Sequence, residues 1–204
     1  MKRYVTILFL LVSVAANAQL SAGSQYIGGG FSLYAPLTRA DTTTSFGVDV
    51  EYFRLTRANL AFGVRAGYAD NRARLGENLQ GTFGQGQYFL APNLQRFFTI
   101  VGRFGVLAGL EAVLSYQQTR SFDNNQEVAT GTSLGLAGNL FTGAYFQPSD
   151  RLLLRLNIGR AGLINVSNLS QRVNQADVRV SSLSYSLTPT YSIAGSSLSL
   201  FYRF

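Results

Sequence analysis

Beyond residue 20, apolar residues recur at every second position, and no window sustains a helical period. Such alternation is the signature of strands with one apolar and one polar face. It runs longest from Phe98 to Tyr116. There the even positions, Phe98, Ile100, Phe104, Val106, Leu110 and Leu114 among them, carry no charge, while the odd ones include Arg103, Gly105, Gly109, Glu111 and Ser115. The same pattern returns in "SQYIGGGFSLY", "TSFGVDVEYF", "NLAFGVRAGYA", "TSLGLAGNLFTGAYF" and "RLLLRLNIG", and more weakly in "GQYFLAPNLQRF", where Pro92 predicts an irregular strand. Eight strands are predicted, over 24–34, 44–54, 59–69, 84–95, 98–118, 131–147, 151–164 and 178–204. In the last, the apolar face runs through odd positions to Ile193 and through even ones from Leu198. A β-bulge at 194–197 accounts for the change; a turn with a separate final strand is the competing arrangement. Short connectors ("RLTRAN", "QRF", "QPSD") alternate with longer polar ones at 37–44, 70–82, 119–130 and 167–177, the layout of an up-and-down meander.

Alternation alone does not choose between a soluble sandwich and a barrel turned apolar side out. Three features favour the barrel. The polar face has no lysine, few glutamates and many glycines, with scattered large aromatics such as Tyr26, Phe53, Phe141, Tyr145 and Phe201; such mixtures fill small barrels. The apolar faces are unbroken by charge. Long loops alternate with tight turns, as in outer-membrane barrels. A spanning strand needs about 9–11 residues, which most segments supply. In hydrocarbon an unpaired backbone group costs several kcal/mol, so the first and last strands must pair and close the sheet.

The N-terminus, "MKRYVTILFLLVSVAANAQL", has a basic start, an apolar run and Ala16-Asn17-Ala18. This is the form of a cleaved helical signal peptide with Ala16 and Ala18 at the cleavage site; the run is shorter than the roughly 20 residues of a membrane anchor. Two segments are expected, a signal over 1–18 and a barrel domain over 19–204. Cleavage removes Lys2 and Arg3 from the seventeen basic residues. Fifteen arginines then face ten acidic residues, a net charge of +5. For an exported chain the matching partners are phosphates of lipid head groups rather than nucleic acid.

Taken together, the signal peptide, the glycine-rich opening strand "SQYIGGGFSLY" and the closing "SLSLFYRF" resemble the porin-like or OmpA/OmpX-type outer-membrane β-barrel families of Gram-negative bacteria. The resemblance covers the mature chain. It implies an all-β, eight-stranded antiparallel up-and-down transmembrane barrel in the cell outer membrane, and a monomer. It also implies that Phe204, with Tyr202, Leu200 and Leu198 before it, is a C-terminal signal read by the barrel-assembly machinery. Outer-membrane lipids are the partners implied. Arg72, Arg74, Arg120, Arg172 and Arg179, in or beside the outer loops, are expected to face the outer leaflet, where some would bind lipopolysaccharide phosphates; ordinary solvated loop charge is the alternative.

There is no Cys and no His, which removes cysteine nucleophiles, Ser-His-Asp hydrolysis and His-based metal chemistry. No cofactor, metal or catalytic residue is expected. The paired Asp49 and Glu51 lie near arginines that keep both ionised. "GGG" at 28–30 lies within a strand and is no phosphate loop. The Asn-X-Ser matches at 165 and 168 are assigned no role. Inward positions carry Asp49, Glu51, Arg65, Arg103, Glu111 and Arg155, with Arg203 beside them. Isolated charges in a narrow lumen should pair, and Arg65 is expected to meet Asp49 or Glu51 from the adjacent strand. Eight strands leave room only for side chains, so a salt-bridged lumen with a structural or surface-interaction role is expected. A charged constriction in a narrow channel for ions or small solutes is the alternative.

Overall fold

One antiparallel sheet closes on itself in the computed structural model, which describes residues 20–34, 42–57, 59–74, 81–123, 126–173, 176–185 and 197–204. Its strands are β1 (Gln25–Tyr34), β2 (Thr42–Arg57), β3 (Leu60–Arg74), β4 (Gly81–Val101), β5 (Phe104–Asp123), β6 (Gln126–Ser149), β7 (Leu152–Val173), β8 (Ala176–Tyr185) and β9 (Ser197–Arg203). Each of β1 to β7 pairs with the next. The far half of β7 pairs with β8 and its near half with β9, so β8 and β9 share the eighth position of the ring. β9 then pairs with β1, Tyr26 opposite Arg203 and Phe31 opposite Leu198, and the barrel is shut. The phase change expected at 194–197 falls, apart from Ser197, outside the described residues, as do Ala16 and Ala18.

Alternation sets the two faces. Along β9 Ser197, Ser199 and Phe201 are buried while Leu198, Leu200 and Tyr202 are exposed. Among the described residues, Leu, Val, Ile and Phe side chains make up most of the exterior between the ends of the barrel, and the buried cluster of Leu20, Tyr26, Phe53, Leu55, Phe97, Leu107, Phe141, Tyr145, Leu153 and Phe201 lies inside. Aromatic rings mark both ends of the apolar exterior: Tyr68, Tyr88 and Tyr116 are successive partners at one end, and Phe104 faces Phe146 at the other. At about 3.3 Å per residue and a tilt of about 40°, the rise from Phe104 to Tyr116 is about 30 Å, the thickness of a bilayer's hydrocarbon core.

Several boundaries differ from expectation. The turn between β4 and β5 lies at Gly102–Arg103, with Gly102 at φ 50°, and not at Gln95–Phe97. The two-residue turn pairs Val101 with Phe104 and alone would shift the parity, but a register shift that leaves Ile100 unpaired offsets it, so even positions stay outside on both sides and the alternation runs through. Pro92 sits within β4, where pairing to β5 lapses between Leu90–Leu114 and Asn93–Glu111. The third and fourth polar connectors are largely strand: β5 and β6 continue to Asp123 and from Gln126, and β7 and β8 to Val173 and from Ala176. Polar residues do not end a strand whose ladder bonds continue, so these segments are tall hairpins.

Candidate functional site: the lumen

Three layers fill the barrel from the end that carries β9's C-terminus. The first is aromatic. Phe53 stacks on Tyr26 (ring centroids 4.9 Å) and on Phe97 (5.8 Å) and meets Phe201 edge-on (5.1 Å); Phe97 in turn meets Tyr145 edge-on (5.3 Å). Leu20, Leu55, Leu107 and Leu153 close around these rings. Glycines make room: Phe141 lies against Gly109 and Phe201 against Gly28, its Cα partner on the adjacent strand in each case. A Cβ on Gly109 would stand 2.4 Å from the Phe141 ring.

The second layer is ionic. Glu51, almost wholly buried, pairs with Arg155 across the barrel and also accepts bonds from Asn93 Nδ2 (3.2 Å) and Gln95 Nε2 (2.5 Å). Arg155 Nη1 donates to Gln95 Oε1 at 3.0 Å, and its guanidinium lies 4.7 Å from the centre of the Phe201 ring. Glu111 takes Arg65 Nη2 (2.7 Å), Asn139 Nδ2 (3.0 Å) and Arg160 Nε (3.0 Å). Asp49 stands at the edge of this group, 4.0 Å from Arg65 Nη1. Three arginines thus meet three carboxylates, and the gap among them holds about 10 Å³, room for one water at most. Among the described residues no group of three acidic side chains converges to hold a metal.

The third layer is a polar cavity of about 380 Å³ on the side of the tall hairpins. Asp49, Arg65 and Arg160 form its floor, and Gln87, Ser115 and Gln117 stand on its wall.

Five of the six expected lumen charges lie in the ionic layer. Arg103 does not. It sits in the β4–β5 turn, where its Nη1 donates to the Pro148 carbonyl (2.6 Å) and its Nη2 meets the exposed Asp150 (3.3 Å). Its odd position put it on the inward face of a strand that in fact ends before it. Arg65 bonds Glu111, with Asp49 at the limit of contact, and leaves Glu51, its own Cα partner, to Arg155. In a lumen this narrow, long side chains reach across as readily as along the wall. Arg203 is half-buried at the barrel end and donates to Ser21 Oγ at 3.3 Å.

Simple alternation also misses Arg160, which it places outside. Register shifts between Thr142 and Gly143 and between Gly138 and Asn139 leave Ile158 and Leu163 unpaired on β7. The first bulge turns Arg160 inward; the second restores even positions to the exterior by Ile164. Gly159 and Gly162, isolated within a strand pattern, were the available sign.

No family model matches the chain, and no curated protein matches it by sequence. Solved structures do. A major outer membrane protein from Thermus thermophilus superposes with a TM-score of 0.58 at 12% identity, over 90% of this chain and 100% of that one. The outer membrane protein OprG from Pseudomonas aeruginosa superposes at 0.54 with 14% identity, over 90% and 97%. The fold is that of the small outer-membrane β-barrels. Within such a barrel the apolar outer face meets lipid, and Leu198, Leu200, Tyr202 and Phe204, all exposed, line the outer edge of the closing strand. Phe204 continues the seam: its N–H donates to the Gln25 carbonyl at 3.3 Å, and its ring lies 6.5 Å from that of Tyr52.

Proposed function

We propose that this is a monomeric integral protein of the outer membrane, exported by a signal peptide over 1–18, whose mature barrel (19–204) has a structural or surface-interaction role and no turnover. One observation carries the reading: an aromatic layer backed by an ionic layer fills the half of the lumen nearer the chain's end. Outer-membrane barrels keep short turns on the periplasmic side and long connections outside, so the filled half faces the periplasm and the tall hairpins stand above the outer leaflet as the surface available to partners. The carboxylates are tied to arginines, which leaves no poised acid–base pair.

The cavity beneath the hairpins favours a second reading, a narrow channel, but it ends on Arg65 and Arg160. Planar-bilayer recording separates the two. The purified barrel is expected to give no reproducible single-channel steps; steady unitary conductance would replace the first reading with the second.

Assembly supplies another test. The alternate residues Leu198, Leu200, Tyr202 and Phe204 are proposed as the strand recognised by the barrel-assembly machinery. Deleting Phe204 is expected to lower the folded, heat-modifiable fraction in membranes several-fold while leaving refolding of the pure protein into detergent nearly unchanged. An equal loss in both would assign Phe204 to stability instead.

A further inference from the structure

Four residues above the tyrosines on the outer wall lies a row of different chemistry. Thr44, Arg72, Gly84, Arg120 and Thr130 are successive Cα partners across β2 to β6. The row beneath the arginines is Tyr68, Tyr88 and Tyr116, on the same face. Strands lie about 4.8 Å apart, so Arg72 and Arg120 flank Gly84 at about 10 Å from each other. Gly84 leaves the space between them open: a Cβ there would meet nothing within 4 Å. A groove of about 380 Å³ occupies this site, with Tyr68, Tyr88, Asp70 and Gln118 along its lower wall. Asp70 bonds Arg72 through Nε (2.9 Å), which fixes the guanidinium while its two Nη groups remain for another acceptor. Two cations and one anion leave the groove positive.

We propose that this groove binds the phosphorylated head group of an outer-leaflet lipid, with its phosphate between Arg72 and Arg120 and its chains against the apolar wall below. The inference rests on the outer-membrane reading above. Height decides the ligand. By the same rise per residue and tilt, the arginines stand about 10 Å above the tyrosine row. Aromatic belts mark the head-group boundary, so a charge at this level meets phosphate rather than hydrocarbon. Arginine holds phosphate through paired hydrogen bonds. A free anion would have no use for the tyrosine wall, whereas an anchored one is held by both parts.

The test uses the intact barrel in detergent and measures binding of bis-phosphorylated lipid A by native mass spectrometry. Wild-type protein is expected to retain it, to bind the dephosphorylated lipid at least tenfold more weakly, and to resist competition by inorganic phosphate. R72A/R120A is expected to lose at least tenfold. G84L, which keeps both charges but fills the groove, should lose a similar factor, while R96A, on the outward face near the opposite end, should bind as wild type does. Equal binding of the two lipids, displacement by inorganic phosphate, or unchanged binding by both groove variants would overturn the proposal. Electrophoresis with and without boiling keeps the outcomes apart. Lost binding with a retained heat shift implicates the groove; a wild-type protein without the shift would instead remove the barrel reading.

Discussion

Arg155→Ala is expected to destabilise the barrel by about 3–5 kcal/mol, the cost of leaving a buried carboxylate without its cation. Glu51 and Arg155 are both almost entirely sequestered. Glu51's other partners, Asn93 and Gln95, are neutral and cannot replace the lost charge. Aromatic rings bar water from one side, since Phe201 lies directly against the guanidinium. The loss is therefore that of an orphaned ion rather than of one hydrogen bond. Two comparisons test this cause. Glu51→Gln with Arg155→Met removes both charges together and should recover most of the stability, because buried pairs contribute little beyond well-packed neutral groups. Arg103→Ala breaks a pair whose aspartate is largely exposed and should cost at most about 1 kcal/mol. Urea midpoints of the heat-modifiable form in lipid vesicles give all three values. If Arg155→Ala costs no more than Arg103→Ala, Glu51 reaches water and the ionic layer is not sealed.

That comparison also marks what sequence could and could not reveal. Arg103 and Arg155 occupy equivalent places in an alternating pattern, each at an odd position flanked by apolar even ones. Alternation reads facing well because it is a local property of extended chain. It does not read where a hairpin turns when a bulge beside a two-residue turn cancels the turn's change of parity, as Ile100 does here, and so it gave Arg103 a place in the lumen. It also assumes one residue per step, and the bulged Ile158 hid Arg160. The Glu51–Arg155 pair joins residues 104 apart; only the closed ring brings them together. The fold class and the identity of β1 and β9 as the closing strands were legible, because hydrophobic alternation and the need to remove sheet edges are both visible in one chain.

Gly28→Ala is expected to prevent closure of the barrel. The opening strand carries three successive glycines, Gly28, Gly29 and Gly30, and the seam shows why. A Cβ on Gly28 would stand 2.1 Å from the Leu200 carbonyl oxygen and 2.7 Å from the Phe201 Cα, both backbone atoms of β9. A Cβ on Gly29 would stand 2.6 Å from the Asp49 carbonyl oxygen on the other neighbour, and one on Gly30 would stand 2.4 Å from Ser199 Oγ. A side chain can rotate away; a ladder carbonyl cannot move without breaking its hydrogen bond. The first methyl added at Gly28 therefore pushes β9 from β1, and every unpaired group exposed there to hydrocarbon costs several kcal/mol. A loss above about 4 kcal/mol is expected, seen as disappearance of the boiling-dependent mobility shift. Phe201→Ala added to Gly28→Ala should not rescue it, since only the 2.6 Å contact with the ring is relieved. Gly84→Ala, with open space at its Cβ, should leave the shift intact. A Gly28→Ala barrel that still shifts with wild-type stability would mean the seam can widen, and that the glycines serve packing against Phe201 rather than closure.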